Sequence, residues 1–192
     1  GHQPPWIGTR AHTTPVTLLP PGLWEVDAER STMGFEVRHL KIARVRGRFH
    51  VVSAQINCDS DGAASISAWV SVASIDTGDP KRDERICAAD FFDVEHHPTL
   101  SFQGLVAPAQ DGRPLKAEGT MTMRGVSRPL ELEAEPWLAG EDREVWVRAR
   151  GSVSRRDFGL EWDSAFAAGG LVIDDHVALR LKICLVPDAN AA

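Results

Sequence analysis

Cysteine is scarce. Only Cys58, Cys87 and Cys184 occur in 192 residues, far apart and with no CxxC pair. An odd, scattered count fits neither a disulfide framework nor a zinc cluster of paired thiols, so three small semi-buried thiols are expected. Long hydrophobic runs are missing as well. Nothing approaches the ~18 consecutive apolar residues of a membrane-spanning helix. No leader is visible, and Gly1-His2 reads as a purification-tag remnant. The expected setting is therefore cytoplasmic if the native chain has no leader, and periplasmic or secreted if one was removed. Basic residues are in the minority, 21 against 27 acidic, for a net charge of -6. Phosphate backbones would be repelled unless the cations clustered on one face. The arginines that do group (Arg44, Arg46, Arg48, then Arg148, Arg150, Arg155, Arg156) mostly alternate, as on the wet side of a strand. No nucleic-acid partner is expected.

Catalytic signatures are lacking too. There is no GxSxG elbow, Gly-rich phosphate loop or dinucleotide fingerprint. His96 and His97 are adjacent, so on a strand they would point apart, and no spacing predicts further ligands. They read as loop histidines, with no metal. The expectation is a protein that is not an enzyme and needs no cofactor.

Alternation is what the sequence has in quantity. Met33, Phe35 and Val37 alternate with polar neighbours, and Val45, Gly47, Phe49 and Val51 do the same. After Val51-Val52 the phase slips to Ala54 and Ile56, which predicts a bulge inside one long strand. Ile66 to Val72, Leu100 to Gly104, Ala117 to Met123, Leu130 to Ala134, Val145 to Val153 and Val177 to Ile183 repeat the pattern. With Leu23–Asp27 this makes about nine half-buried strands. Ser60-Asp61-Gly62 and Asp111-Gly112 supply hairpin turns. Only Asp79 to Asp90 resists: an acidic cap, Pro80 in the first turn and no alternation predict one short helix. No helix could cover so much one-sided sheet, so the sheet must cover itself. Long strands, a phase slip and the strand glycines Gly47, Gly119 and Gly151 favour an all-β, closed antiparallel barrel over a sandwich.

At 43% hydrophobic and a mean hydropathy of -0.20 the composition is that of one globular domain. Residues 1–22 carry five prolines and no acid and read as a flexible arm. The barrel is expected over 23–187, with a tail at 188–192.

The inward faces mix large and very small side chains. Phe35, Phe49, Phe102, Met121 and Met123 are the bulky members, and Val37, Val70, Leu100, Leu132, Val147 and Leu179 share their faces. Ala68, Ala117, Ala134, Ala149, Gly104, Gly119 and Gly151 are the small ones. A barrel of about eight strands either fills its middle or leaves room for one ligand. An apolar lining with many small members predicts a cavity with an apolar occupant. His39 shares the face of Phe35 and Val37 at a strand end. It is expected at the rim, either held by a hydrogen bond or orienting the polar end of a ligand.

Five ordered blocks go further: LWEVDAERSTMGFEVRHL, VRGRF, SIDTGDPKRDERICAADFFDVEHHPTLSF, GTMTMRGVSRPLEL and RRDFGLEW. Together they resemble the YceI-like family of lipocalin-like polyisoprenoid-binding proteins, from about Leu23 to Val186. The resemblance implies an extended barrel with a long tunnel for isoprenoid chains, such as polyprenyl lipids or quinone tails. It puts Arg82-Asp83 and the Asp90-Phe91-Phe92-Asp93 segment at one tunnel end, and matches Arg156, Asp157, Phe158 and His39 to family positions. Phe91, Phe92 and Phe158 thus join the expected lining, and Arg82, Asp83, Arg156 and Asp157 form an expected polar rim. An unpaired charge in a dry lumen costs several kcal/mol, so these charges should be engaged with each other or with backbone. The Pro-rich arm and Cys87 depart from the family pattern.

The expected function is binding, transport or storage of a long apolar isoprenoid lipid. An enzyme using Arg82, Asp83 or Asp157 on a hydrophobic substrate is one alternative. A stress-related interaction protein with incidental lipid is the other. Transient membrane contact and a homodimer through exposed edge strands complete the expected partners.

Overall fold

The computed structural model describes residues 13–15, 20–39, 43–50, 52–108, 113–139, 144–161 and 173–188. In chain order the strands are β1 (Thr13–Pro15), β2 (Gly22–Val26), β3 (Thr32–His39), β4 (Ala43–Phe49), β5 (Val52–Cys58), β6 (Ala64–Ser71) and β7 (Ile75–Asp76). The one α-helix among the described residues, α1 (Pro80–Cys87), follows, then β8 (Thr99–Val106), β9 (Leu115–Met123), β10 (Val126–Ala139), β11 (Glu144–Ser154) and β12 (Ile173–Pro187). All pairings are antiparallel. The sheet closes through β2, β5, β6, β8, β9, β10, β11 and β12 into an eight-stranded barrel. Closure follows from the alternation, because each wet outer face needs a dry inner one that no helix supplies. β5 shows it without a fault: buried and exposed residues alternate from Val52 to Cys58.

β12 is the hinge of the architecture. Its last residues, Leu185–Pro187, pair with β2, whereas Ile173 to Lys182 pair with β3. Beyond β3 the wall continues as β4, and β7 takes up only Arg48 and Phe49 of it. The barrel is therefore extended at one end by β3, β4 and β7, with α1 set against β7.

The phase slip after Val51-Val52 is not a bulge. β4 ends at Phe49 and β5 begins at Val52, and the two have different neighbours: β3 and β7 for the first, β2 and β6 for the second. The slip marks where the chain leaves the extension for the main wall. With β1 and β7 this break raises the strand count from the nine expected to twelve among the described residues. A register irregularity does occur, but on β12 between Ile173 and Val177.

The helix forms where expected, with Asp79 accepting from the amides of Lys81 and Arg82 and Pro80 starting the first turn. It stops at Cys87, short of Asp90. The Ser60-Asp61-Gly62 turn forms too: Gly62 has φ 88° and its amide donates to the Asp59 carbonyl at 3.1 Å. Asp111-Gly112 lies outside the described residues.

The strand glycines have a different purpose from the corner bends expected of them. A Cβ on Gly47 would strike the ring of Phe35, its direct partner across β3 and β4. One on Gly104 or Gly119 would strike the ring of Phe102. These glycines seat aromatic rings, so they do not hollow the barrel. The hollow lies beside the alanines instead.

Candidate functional site

Two cavities occupy the lumen. The larger, about 150 Å³, is walled by the inner faces of the barrel strands, among them Ala54, Ala64, Ala68, Val70, Phe102 and Ala117. Leu132, Ala134, Val147, Ala149 and Ile183 complete the far wall. Among the described residues not one polar side chain lines it. The smaller, about 100 Å³, sits in the extension under α1 and is lined by Phe35, Val37, Phe49, Phe91, Phe92 and Met123, among others. Phe35, Phe49, Phe92 and Phe91 form a chain of tilted and edge-on rings, with centroids 5.6, 6.5 and 4.9 Å apart. This is the arrangement that the ring quadrupole favours.

Met33, Leu100, Met121 and Leu179 line both cavities, so they form a collar between them. The three methionines of the chain all face the lumen, Met123 being the third. Unbranched and polarisable, methionine adapts its shape at little cost.

Three polar side chains, Thr77, Arg82 and Arg155, stand in the wall of the second cavity, but they turn only their apolar atoms to it. Arg82 lines it, with Nε donating to Thr77 Oγ1 at 2.8 Å and Nη2 to the Thr77 carbonyl at 2.7 Å. Asp83 accepts from the Thr77 amide at 3.0 Å and from its hydroxyl at 2.5 Å. The two charges do not clasp each other directly, as one option had it; Thr77 couples them. The direct consequence is testable. Thr77→Val should lower stability by about 2 kcal/mol, since Asp83 loses one donor and Arg82 one acceptor in a half-buried site. Thr77→Ser should restore most of it, and the urea midpoint is the measurement.

Arg156 and Asp157, expected on a polar rim, are exposed and line neither cavity. The preceding residue does line one. Arg155 is 4% exposed, lines the second cavity, and donates to the carbonyls of Asp174 (3.0 Å), Leu160 (2.8 Å) and Ile173 (3.0 Å). The signal was available, because Val153 points inward and Arg155 is two residues on. Burial of an arginine is rare enough that the inward reading stopped one step short. Phe158 is fully buried but packs in the core outside both cavities. The side chain of His39 lies outside the described residues.

The remaining candidates have local roles. His96 Nδ1 lies 2.9 Å from Asp93 Oδ1, and this bond first, with the charges of His96, His97 and Arg124, holds the Asp93 carboxyl below its ordinary range. His97 lies beside Gly125. Cys58 and Cys184 are buried and Cys87 half-buried, all as free thiols. Burial, with the charge of Asp59, pushes Cys58 up to about 11, which keeps it protonated and unreactive at neutral pH. Asp83 and Asp157 line neither cavity.

The sequence matches the YceI-like domain over residues 24–185. It is 25% identical to Protein YceI of Escherichia coli over 145 residues, which span 71% of this chain and 74% of that one. The fold is similar to that of Burkholderia cenocepacia BcnA (TM-score 0.72, 21% identity, 84% of this chain and 99% of that one). It is similar also to a polyisoprenoid binding domain from Saccharophagus degradans implicated in plant cell wall breakdown (TM-score 0.67, 16% identity, 85% and 98%). The family match covers nearly all of the barrel, and the chain belongs to the YceI-like domain family.

Proposed function

We propose that the protein binds a long apolar lipid of the isoprenoid class, as a carrier or store, with its tail in the larger cavity. The observation that carries this reading is the lining of that cavity, which holds no polar side chain among the described residues. Such a site rejects any group that needs a hydrogen bond and favours hydrocarbon by about 0.8 kcal/mol per buried CH₂. The polyisoprenoid-binding domain of the same fold in Saccharophagus degradans supports the ligand class.

Volume sets a condition on the mode of binding. A dry cavity of ~150 Å³ accepts about one six-carbon ring, so the two cavities hold short segments only. A long chain occupies both when the collar parts, and Met33 and Met121 are the side chains suited to swing aside. The polar end then lies at the second-cavity end, where Arg82 and Thr77 stand in the wall with their polar atoms bonded to each other, and a headgroup would have to compete for them.

Solvent extraction of the purified protein followed by mass spectrometry tests the reading. One prenyl species at near-stoichiometric yield is the expected result. A random mixture of membrane lipids, or none, refutes it.

A further inference from the structure

The barrel wall outside the second cavity is a basic face on an acidic protein. β4 carries the exposed Arg44, Arg46 and Arg48, and β3 carries Arg38. Their alternate neighbours Val37, Val45 and Phe49 line the cavity from within. On the other side of β3, β12 adds Arg180 and Lys182, and β11 adds Arg148 and Arg150, all exposed. The pairing of β11, β12, β3 and β4 makes one surface of them. Neighbouring strands are ~4.8 Å apart, so the face is roughly 14 Å across.

The register is what calls for an explanation. Arg150 stands opposite Arg180, Arg148 opposite Lys182, and Arg38 opposite Arg44. Like charges directly opposite each other destabilise a sheet; the first two pairs lie side by side on β11 and β12, and the third stands apart on β3 and β4. Arg180 and Arg48 both flank Gly34, which puts them in one row with Arg150. Glu36 is the acid inside the face and is taken by Arg44 at 3.2 Å and Arg46 at 3.0 Å. Glu133, bound to Arg150 at 2.8 Å, Glu135, opposite Arg148, and Asp76, opposite Arg48, stand at its margins. A chain of net charge -6 has thus placed eight of its 21 lysines and arginines on one wall, two like-charged pairs of them adjacent.

We infer that this wall is a docking surface for an anionic lipid bilayer. The choice of a membrane among anions rests on the lipid-binding reading above. The surface is a convex sheet, with no helix or ribbon to enter a duplex groove and no row of aromatics on which bases could stack. What it does have is Trp146 at its edge, half-buried, with Lys182 Nζ 5.2 Å from the ring centroid. An amphipathic indole beside a basic group suits the headgroup level of a bilayer. Docked there, the wall of the second cavity faces the membrane. So does the outer edge of β4 from Ala43 to Gly47, which has no strand beside it among the described residues.

Each basic residue near an anionic surface contributes about fivefold to partitioning. Arg48 and Arg180 are the residues to remove, since neither is part of the ion pairs described above. The full chain should co-sediment with vesicles of 30 mol% phosphatidylglycerol in phosphatidylcholine, not with pure phosphatidylcholine, and release in high salt. The double variant Arg48→Gln, Arg180→Gln should bind about 30-fold more weakly. Lys116→Gln with Arg128→Gln, equal in net charge but on β9 and β10, should bind as the parent does. Equal binding to both vesicle types, equal loss in the two double variants, or tighter retention on duplex DNA of equal phosphate content overturns the inference. The lipid content of the same preparation separates the two readings. Lipid-filled protein that ignores anionic vesicles defeats the docking surface alone, whereas lipid-free protein that binds them supports it and defeats the carrier reading alone.

Discussion

Arg155→Met should destabilise the protein by about 3–5 kcal/mol, a large part of the stability of an ordinary domain. Three backbone carbonyls, those of Leu160, Ile173 and Asp174, take a guanidinium hydrogen each, and the Arg155 amide donates to the carbonyl of Asp175. These acceptors come from two segments well apart in sequence, residues 160 and 173–174, so one side chain ties the end of η-turn Arg156–Phe158 to the start of β12. Methionine matches the stem in length and keeps the apolar packing, but leaves the carbonyls without a donor in a buried place. Each such loss costs ~1–3 kcal/mol. Arg155→Lys should recover only part, because an ammonium is a point charge and cannot hold the planar fork that reaches three acceptors at once. Urea unfolding is the measurement, with the midpoint lowered and the slope unchanged. A drop below ~1 kcal/mol for methionine would mean that water or a neighbouring donor already serves those carbonyls.

Arg155 also shows where sequence reading reaches its limit. Period two was enough to place the inner faces, and of the residues expected to line a tunnel the structure puts Phe35, Ala68, Leu132 and Leu179 against a cavity. The Asp79 cap and Pro80 were legible for the same reason, being local rules of backbone geometry. What depends on pairing was not. A phase slip looks the same whether a strand bulges or ends, and only the neighbours of β4 and β5 decide between them. Gly47 and Gly119 look like relief for a bend until the rings of Phe35 and Phe102 are seen above them. The collar joins residues from β3, β8, β9 and β12, and no spacing in the chain announces it. The basic wall was hidden likewise. Arg44, Arg46 and Arg48 read as an ordinary wet strand, and their partners on β11 and β12 stand about a hundred residues later.

Ala68→Trp should empty the barrel of its ligand without unfolding it. Ala68 sits mid-strand on β6, between Ala54 on β5 and Phe102 on β8, and lines the larger cavity. An indole there enters a space of about 150 Å³, close to its own size, so the added apolar burial offsets much of the strain of overpacking. Stability should change by no more than ~1.5 kcal/mol. The ligand fares differently. Losing a chamber that buries about six carbons removes roughly 5 kcal/mol at 0.8 kcal/mol per CH₂, and affinity should fall about a thousandfold or more. Ser65→Trp, on the outer face of the same strand, carries the same bulk without entering the lumen and should leave lipid content as it was. Extraction and mass spectrometry of the two variants read this out side by side. If both keep their lipid, the tail lies elsewhere than in the larger cavity; if both lose it, strand disruption and not occlusion is responsible.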